Sequence, residues 1–239
     1  MNRIEKTAFI DSGVEMGDNN YIGHYAVIKK GTTIGNNNFI GSHTVIGELC
    51  QHSFKKHELN GFSEEESHKR EVIIGSNNVI REFTTIHMPT STAFTKIADH
   101  CYIMAYNHIS HDTIIHDNVI LSNNTQIGGH TNILPHANIG LSSIIHQRST
   151  IGSFAMIGMG SIINKDIPPF LTAYGTPVKS ANKINEWGLK RYGHENAIHG
   201  IICHYTQKAA ADLTEFVKQQ LELFNKLSKR AHIEILLEE

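Results

Sequence analysis

The chain has 239 residues, enough for a sizeable core, and a formal net charge of −2 with neutral histidines, which excludes the basic footprint of a nucleic-acid binder. Its three cysteines, Cys50, Cys101 and Cys203, are odd in number and widely spaced; that pattern fits a reducing compartment and excludes a disulfide framework or a zinc knuckle. The N-terminus has no apolar signal region, and no run approaches the ~18 apolar residues of a membrane span. A soluble, cytoplasmic protein without a transmembrane segment is expected.

In chain order, the first pattern is a six-residue beat of aliphatic residues: Ile10, Met16, Ile22, Ile28, Ile34, Ile40 and Ile46. It stops at a polar interruption from 48 to 70 that carries Lys55, Lys56, His57 and a Glu64-Glu65-Glu66 run. Ile74, Ile80 and Ile86 resume it in a second phase. A shorter break from 88 to 96, rich in Thr and Ser, follows. From Ile97 to Ile163 every sixth residue is aliphatic without a miss, often with a small residue next, as in Ile127-Gly128 and Ile139-Gly140. Neither a helix period of 3.6 nor a strand period of 2 produces a strict six. A hexapeptide period is the mark of a parallel β-helix. Three six-residue sides return the chain to its start after eighteen residues, so the beats predict about seven coils stacked at the usual strand spacing of ~4.8 Å. The beat residues point inward, and the small residue after each serves the tight corner.

Pro cannot supply ladder N–H groups, so Ile167-Pro168-Pro169 predicts an end to the sheet. Beyond it, helical segments are expected at Asn182–Tyr192, Asn196–Ala211 and, most clearly, Asp212–Leu236, where apolar residues recur at three- and four-residue spacings. The expected organisation is a solenoid over residues 1–170, with loop insertions at 48–70 and 88–96, capped by a helical region over 171–239.

Against this uniform background the seventeen histidines stand out. Most are expected on the surface. His108, His111-Asp112, His130 and His146-Gln147 differ, because a period of eighteen sets them near one edge of the prism on neighbouring coils. Imidazole is the side chain poised to exchange a proton near neutral pH. An Asp beside it in sequence points the wrong way in an ideal strand, but at a corner it orients the ring.

Three segments carry a family likeness: Ile80-Arg81-Glu82-Phe83-Thr84-Thr85-Ile86-His87, Met104-Ala105-Tyr106-Asn107-His108-Ile109-Ser110-His111-Asp112, and Gly128-Gly129-His130. With His146-Gln147, Asp166-Ile167-Pro168-Pro169 and Gly188-Leu189-Lys190-Arg191, they make the chain, roughly from 7 to 208, resemble the UDP-N-acetylglucosamine acyltransferases that open lipid A biosynthesis. The resemblance implies an all-β solenoid, a left-handed parallel β-helix with a C-terminal α-helical region. It implies a homotrimer with active sites in clefts between prisms, a 3-hydroxyacyl group donated by acyl carrier protein, and the 3-hydroxyl of the UDP-sugar as acceptor. His111 matches the general base, Asp112 its orienting carboxylate, and the Gly129 N–H the oxyanion donor. His108, His130, His146 and Gln147 match residues lining the donor and nucleotide-sugar site. Arg191 matches a basic residue near the diphosphate or the carrier's prosthetic group, and Asn182 or Asn185 a sugar-binding Asn. Met159 stands where the family's acyl channel ends, which implies shorter donors. No metal, cofactor or covalent intermediate is required.

The chain departs from the family in its 48–70 segment, where Lys55 or Lys56 replaces a lysine that reaches the sugar, in Tyr192 where a second arginine is usual, and in its shorter tail. These differences keep a paralogue open, one using another nucleotide-sugar or acyl group. A second alternative is a zinc enzyme resembling γ-class carbonic anhydrases. His111 and His116 have the five-residue spacing, yet no His stands near Gly75 where the third ligand belongs, and His68 and His87 are out of register. A non-catalytic scaffold would leave the histidines unexplained.

Overall fold

The computed structural model describes residues 1–51, 70–206 and 213–235. The chain winds through three sheets of ten, eight and seven strands among the described residues, all parallel except the last strand of the first, forming a left-handed parallel β-helix with helices at its C-terminal end. Successive strands visit the three sheets in turn, and within the uninterrupted runs most pair in register with the strand eighteen residues on, as in Ile109↔Ile127 and Ile127↔Ile145. The two interruptions leave this register intact. Ile34 pairs with Ile74 across the first and Ile74 with Ile97 across the second. Lys55 and Lys56 lie outside the described residues.

Most strands have two residues, one outward and one inward. The inward one is the beat residue. Ile22, Ile40, Ile80, Ile103, Ile109 and Ile139 are fully buried, and the whole file of isoleucines forms a single core cluster. At about 25 cal/mol per Å² of apolar surface, each contributes on the order of 2 kcal/mol, and β-branched residues suit the pleated surface.

Space, rather than backbone conformation, fixes the small residue after each beat. Gly128 and Gly140 have ordinary φ, but a Cβ on Gly128 would lie 2.5 Å from the Gln147 nitrogen, and one on Gly140 2.6 Å from the Met159 nitrogen. The left-handed turn falls two residues later, where non-glycine residues adopt it: Asp112, His130, Ser142 and Phe154 have φ of 55–60°.

The three corners differ in character. Between the ten- and eight-stranded sheets, Tyr25, His43, Phe83 and Tyr106 stack with ring centroids 4.9–5.0 Å apart, all exposed. Between the seven- and ten-stranded sheets, buried Asn20, Asn38 and Asn78 form a ladder in which each side-chain oxygen accepts the N–H of the next coil, at 2.8–2.9 Å. Both loop interruptions leave from the remaining corner, between the eight- and seven-stranded sheets, since they join Val45–Glu48 to Glu71–Ile74 and Thr85–His87 to Phe94–Ile97.

The chain does not leave the sheet at Pro168-Pro169. Leu171–Tyr174 adds a further strand to the ten-stranded sheet and forms an antiparallel hairpin with Lys179–Ile184. The expected helix at Asn182 therefore starts later, at Glu186, because the preceding residues are used in sheet pairing. Its side-chain cap is Asn185, whose Oδ1 accepts the Gly188 N–H at 3.0 Å. Helices Glu186–Arg191, Ile198–Thr206 and Glu215–Leu227 then pack against the prism. The last ends well short of Leu236, at Ser228, because the next residues run along the prism, with Asp166 bridged to His232.

Ile127→Ala should lower the thermal midpoint sharply, by the ~2–5 kcal/mol typical of a buried large-to-small change. Gln126→Ala, on the outward side of the same strand, should be nearly neutral. Equal effects in thermal denaturation would contradict the inward file of isoleucines.

Candidate active site

The eight-to-seven-sheet corner gathers the unusual residues. His111 stacks beneath Gly129 and Asp112 beneath His130, a register fixed by the His130 N–H donating to the His111 carbonyl at 3.0 Å. The left-handed φ of 59° at Asp112 turns its side chain back toward its neighbour. His111 Nδ1 then lies 2.7 Å from Asp112 Oδ2. That contact settles the tautomer. An ionised carboxylate only accepts, so Nδ1 carries the proton of this contact, and in the neutral ring Nε2 is the basic nitrogen.

Asp112 is held by the short break. The Thr90 and Thr92 hydroxyls each donate to it at 2.6 Å, and the N–H groups of Thr90, Ser91 and Thr92 at 2.7–3.2 Å. Burial works to raise its pKa, but the donations from Thr90, Thr92 and His111 win and hold the carboxyl far below its usual range. Thr90 and Thr92 carry no motif that marks them as site residues in the sequence. Their signal is positional: the Thr-Ser-Thr run leaves the prism at the corner that Asp112 occupies one coil later.

A Cβ at Gly129 would come within 2.5 Å of the His111 ring, so only glycine lets the imidazole lie there. Among the described residues no acceptor takes the Gly129 N–H. His130 meets His111 edge-on at 5.2 Å, with Nε2 3.6 Å from Asp112. His108 lies one strand earlier, on the eight-stranded sheet, its Nδ1 2.8 Å from Thr85 Oγ1 and its Nε2 3.0 Å from Ser110 Oγ. Buried His87 packs edge-on against it at 4.7 Å. Burial, then the nearby His108, lowers the His87 pKa to about 4, while burial and then His111 lower that of His108. Both rings are neutral at neutral pH.

His146 and Gln147 occupy the same corner one coil above Gly129. The other expected residues are elsewhere. Met159 is 74% exposed at the aromatic corner, so it does not pack inside the prism. Arg191 ends the helix Glu186–Arg191, 5.1 Å over the Trp187 ring, near the third corner, where the neighbouring Tyr192 packs on His136. The Asn182 side chain lies outside the described residues. Asn185 is occupied in capping and in donating to the Phe154 carbonyl at 2.9 Å. A single prism thus assembles His111, Asp112, Gly129 and His130, sets His108, His146 and Gln147 beside them, and leaves Met159 and Arg191 on two other corners.

His111, Asp112 and His130 form a set of possible metal donors, with their ligand atoms within 4.8 Å of one another. The set does not fit a metal well, because both carboxylate oxygens already accept hydrogen bonds. His116 belongs to the asparagine corner, so one prism does not bring it to His111.

The bacterial transferase hexapeptide family, defined by six repeats, matches residues 4–48 and 94–129. The chain is 41% identical over 156 residues to the acyl-[acyl-carrier-protein]–UDP-N-acetylglucosamine O-acyltransferase of Pseudomonas savastanoi pv. phaseolicola, an alignment spanning 60% of either chain. It thus spans less than two thirds of that curated relative's length. Among solved structures it resembles LpxA of Acinetobacter baumannii, with 31% identity, TM-score 0.75, and 97% of this chain and 99% of that one covered. It also resembles the UDP-N-acetylglucosamine acyltransferase of Bacteroides fragilis, with 27% identity, TM-score 0.78, and 96% and 99% covered.

The depressed His87 pKa ties stability to pH. The unfolded chain protonates this ring near 6.5 and the folded one only near 4, so the unfolded state binds more protons between those values. The stability that His87 contributes is fully present above 6.5 and drains as pH falls toward 4. The thermal midpoint should therefore drop from pH 7 to pH 5, and less steeply in His87→Gln. Identical slopes in the two proteins would remove His87 as a source.

Proposed function

Because this chain belongs to the UDP-N-acetylglucosamine acyltransferase family of hexapeptide-repeat proteins, we propose that it moves a 3-hydroxyacyl group from acyl carrier protein to the sugar 3-hydroxyl of UDP-N-acetylglucosamine, the first step of lipid A biosynthesis. The observation that carries this reading is the His111–Asp112 pair, whose ring lies against Gly129, where among the described residues no acceptor takes the N–H. A sugar hydroxyl is a poor nucleophile until a base takes its proton during attack, and His111 Nε2 is that base. Asp112, ionised across the working pH range, holds the ring and stabilises the imidazolium that forms. The thioester carbonyl becomes a tetrahedral oxyanion, which the Gly129 N–H receives. Collapse of the intermediate expels the carrier's thiolate, to which His111 returns the proton. His108, His130, His146 and Gln147 line the substrate cleft, and Arg191 faces the diphosphate or the carrier's prosthetic group.

The working unit is a homotrimer. Met159, Arg191 and His111 sit on three corners of one prism, and only a neighbouring prism can bring such residues to one cleft. The exposed aromatic corner and the apolar outward residues Phe9, Ile144 and Ile162 of the eight-stranded sheet favour such contact. No helix among the described residues is long and apolar enough to cross a membrane, and the activity is assigned to the cytoplasm, where the charged carrier protein is available. The chain divides functionally into a solenoid that carries the chemistry and a C-terminal helical region that covers its end.

His111→Ala should abolish acyl transfer while the assembly sediments as a trimer and melts as wild type. A general base contributes ~10²–10⁴-fold, so a variant retaining a tenth of the wild-type rate, or an active monomer, would overturn the reading. Met159→Gly should shift the preference toward longer 3-hydroxyacyl donors, because the Met side chain occupies space that terminal methylenes would fill, and forcing them in costs ~1–3 kcal/mol. Competition between short and long donors checks this. An unchanged length profile would exclude Met159 as the ruler.

A further inference from the structure

The C-terminal strap after Leu227 performs a task that the reading above leaves unassigned. Asp166, fully buried beneath it, accepts the Thr150 N–H at Oδ1 at 2.8 Å. Its Oδ2 accepts the Ser228 hydroxyl at 2.6 Å and the N–H groups of Lys229 and Arg230 at 3.1 Å each. The strap also pairs with the Asp166 backbone: the Asp166 N–H donates to Ala231 at 3.0 Å, and the Ile233 N–H donates to Asp166 at 3.1 Å. Arg230 is therefore fixed at its backbone. Its guanidinium reaches into the corner that carries the candidate active site. Nη2 donates to the Asn164 carbonyl at 2.8 Å, while Nη1 lies 3.1 Å from the Gln147 carbonyl and 3.0 Å from His146 Nδ1.

This contact has a definite chemical consequence. A guanidinium has donors and no acceptor, so a hydrogen bond to His146 Nδ1 requires that nitrogen to be unprotonated and puts the ring proton on Nε2. The 2.9 Å approach of Nδ1 to the Gln147 carbonyl is then the meeting of two acceptors, which Nη1 holds together by facing both. Without Arg230 the same geometry favours the other tautomer, with Nδ1–H donating to that carbonyl and Nε2 left as an acceptor. One distal arginine thus decides whether His146 offers the cleft a donor or a lone pair.

We propose that Arg230 is a positioning residue for the nucleotide-sugar: it bridges His146 and Gln147, holds His146 in the Nε2–H form, and so presents a donor to the oxygen-rich sugar nucleotide. The inference rests on the reading above, in which His146 and Gln147 line that pocket. A planar fork that spans three acceptors fits this task, whereas lysine is a point donor.

The test compares wild type with Arg230→Ala and Arg230→Lys, using UDP-N-acetylglucosamine and a 3-hydroxyacyl carrier protein. Arg230→Ala should raise KM for the UDP-sugar roughly tenfold, the scale of losing hydrogen bonds to a charged group, with kcat, KM for the acyl donor and the melting temperature held. Arg230→Lys should recover only part of that loss. An unchanged KM, a fall confined to kcat, or full recovery by lysine would overturn the proposal. Nitrogen NMR of the His146 ring, assigned by the signal lost in His146→Gln, reads the tautomer without any substrate: Nε2–H in wild type, and a shift toward Nδ1–H in Arg230→Ala. An Nδ1–H ring in the wild type overturns the inference whatever the kinetics. Wild-type protein that shows the Nε2–H ring but no turnover of UDP-N-acetylglucosamine would instead count against the parent reading, and Arg230 would lose its assigned ligand.

Discussion

In-register stacking of each coil on the next is the constraint on which everything else in this molecule depends. An eighteen-residue circuit returns the chain to the same sheet one strand spacing higher, so every residue has a fixed neighbour above and below. The isoleucine files satisfy the apolar half of that arrangement, and the Asn20, Asn38 and Asn78 ladder satisfies buried corner amides in the same register. Tyr25, His43, Phe83 and Tyr106 show the same spacing on the outside, with rings parallel because their backbones are. Insertions are tolerated only where they leave and return at one corner, and both do so at the corner that carries His111.

The second controlling interaction is the buried Asp112 carboxylate. An unpaired charge there would be severely destabilising, yet here the Met88–Lys96 break wraps it with hydroxyls and N–H groups. The same contacts keep it ionised, and its ionisation in turn sets the His111 tautomer. A loop that interrupts the repeat is thus a condition for the chemistry. Asp166 repeats the device at the end of the prism, where one buried carboxylate gathers the strap that delivers Arg230.

The competing readings meet this geometry unequally. A zinc site would need three converging ligands, and Asp112 has committed both oxygens to hydrogen bonds, while His116 lies at another corner. A plain scaffold has no use for a glycine that makes room for an imidazole, as Gly129 does for His111. A paralogue with a different nucleotide-sugar or acyl group shares every feature of the corner and differs only in the pocket, which the kinetic comparisons address.

The sequence by itself determined the solenoid, because a strict six-residue period of isoleucine has one structural solution. It also marked the histidines, since a uniform repeat makes any departure visible and a period of eighteen places His111, His130 and His146 near one edge. Only the tertiary structure decided what those residues touch. Whether Asp112 meets His111 depends on a left-handed turn at a non-glycine residue, which no local preference demands. That Thr90 and Thr92 hold it depends on the Met88–Lys96 break leaving the prism at the corner that Asp112 occupies one coil later. The hairpin at Leu171–Ile184 and the return of Arg230 to His146 join residues far apart in the chain. The tail has no repeat to announce its register. Its path follows from long-range pairing and from a single buried carboxylate, and neither leaves a periodic trace in the residues that make it.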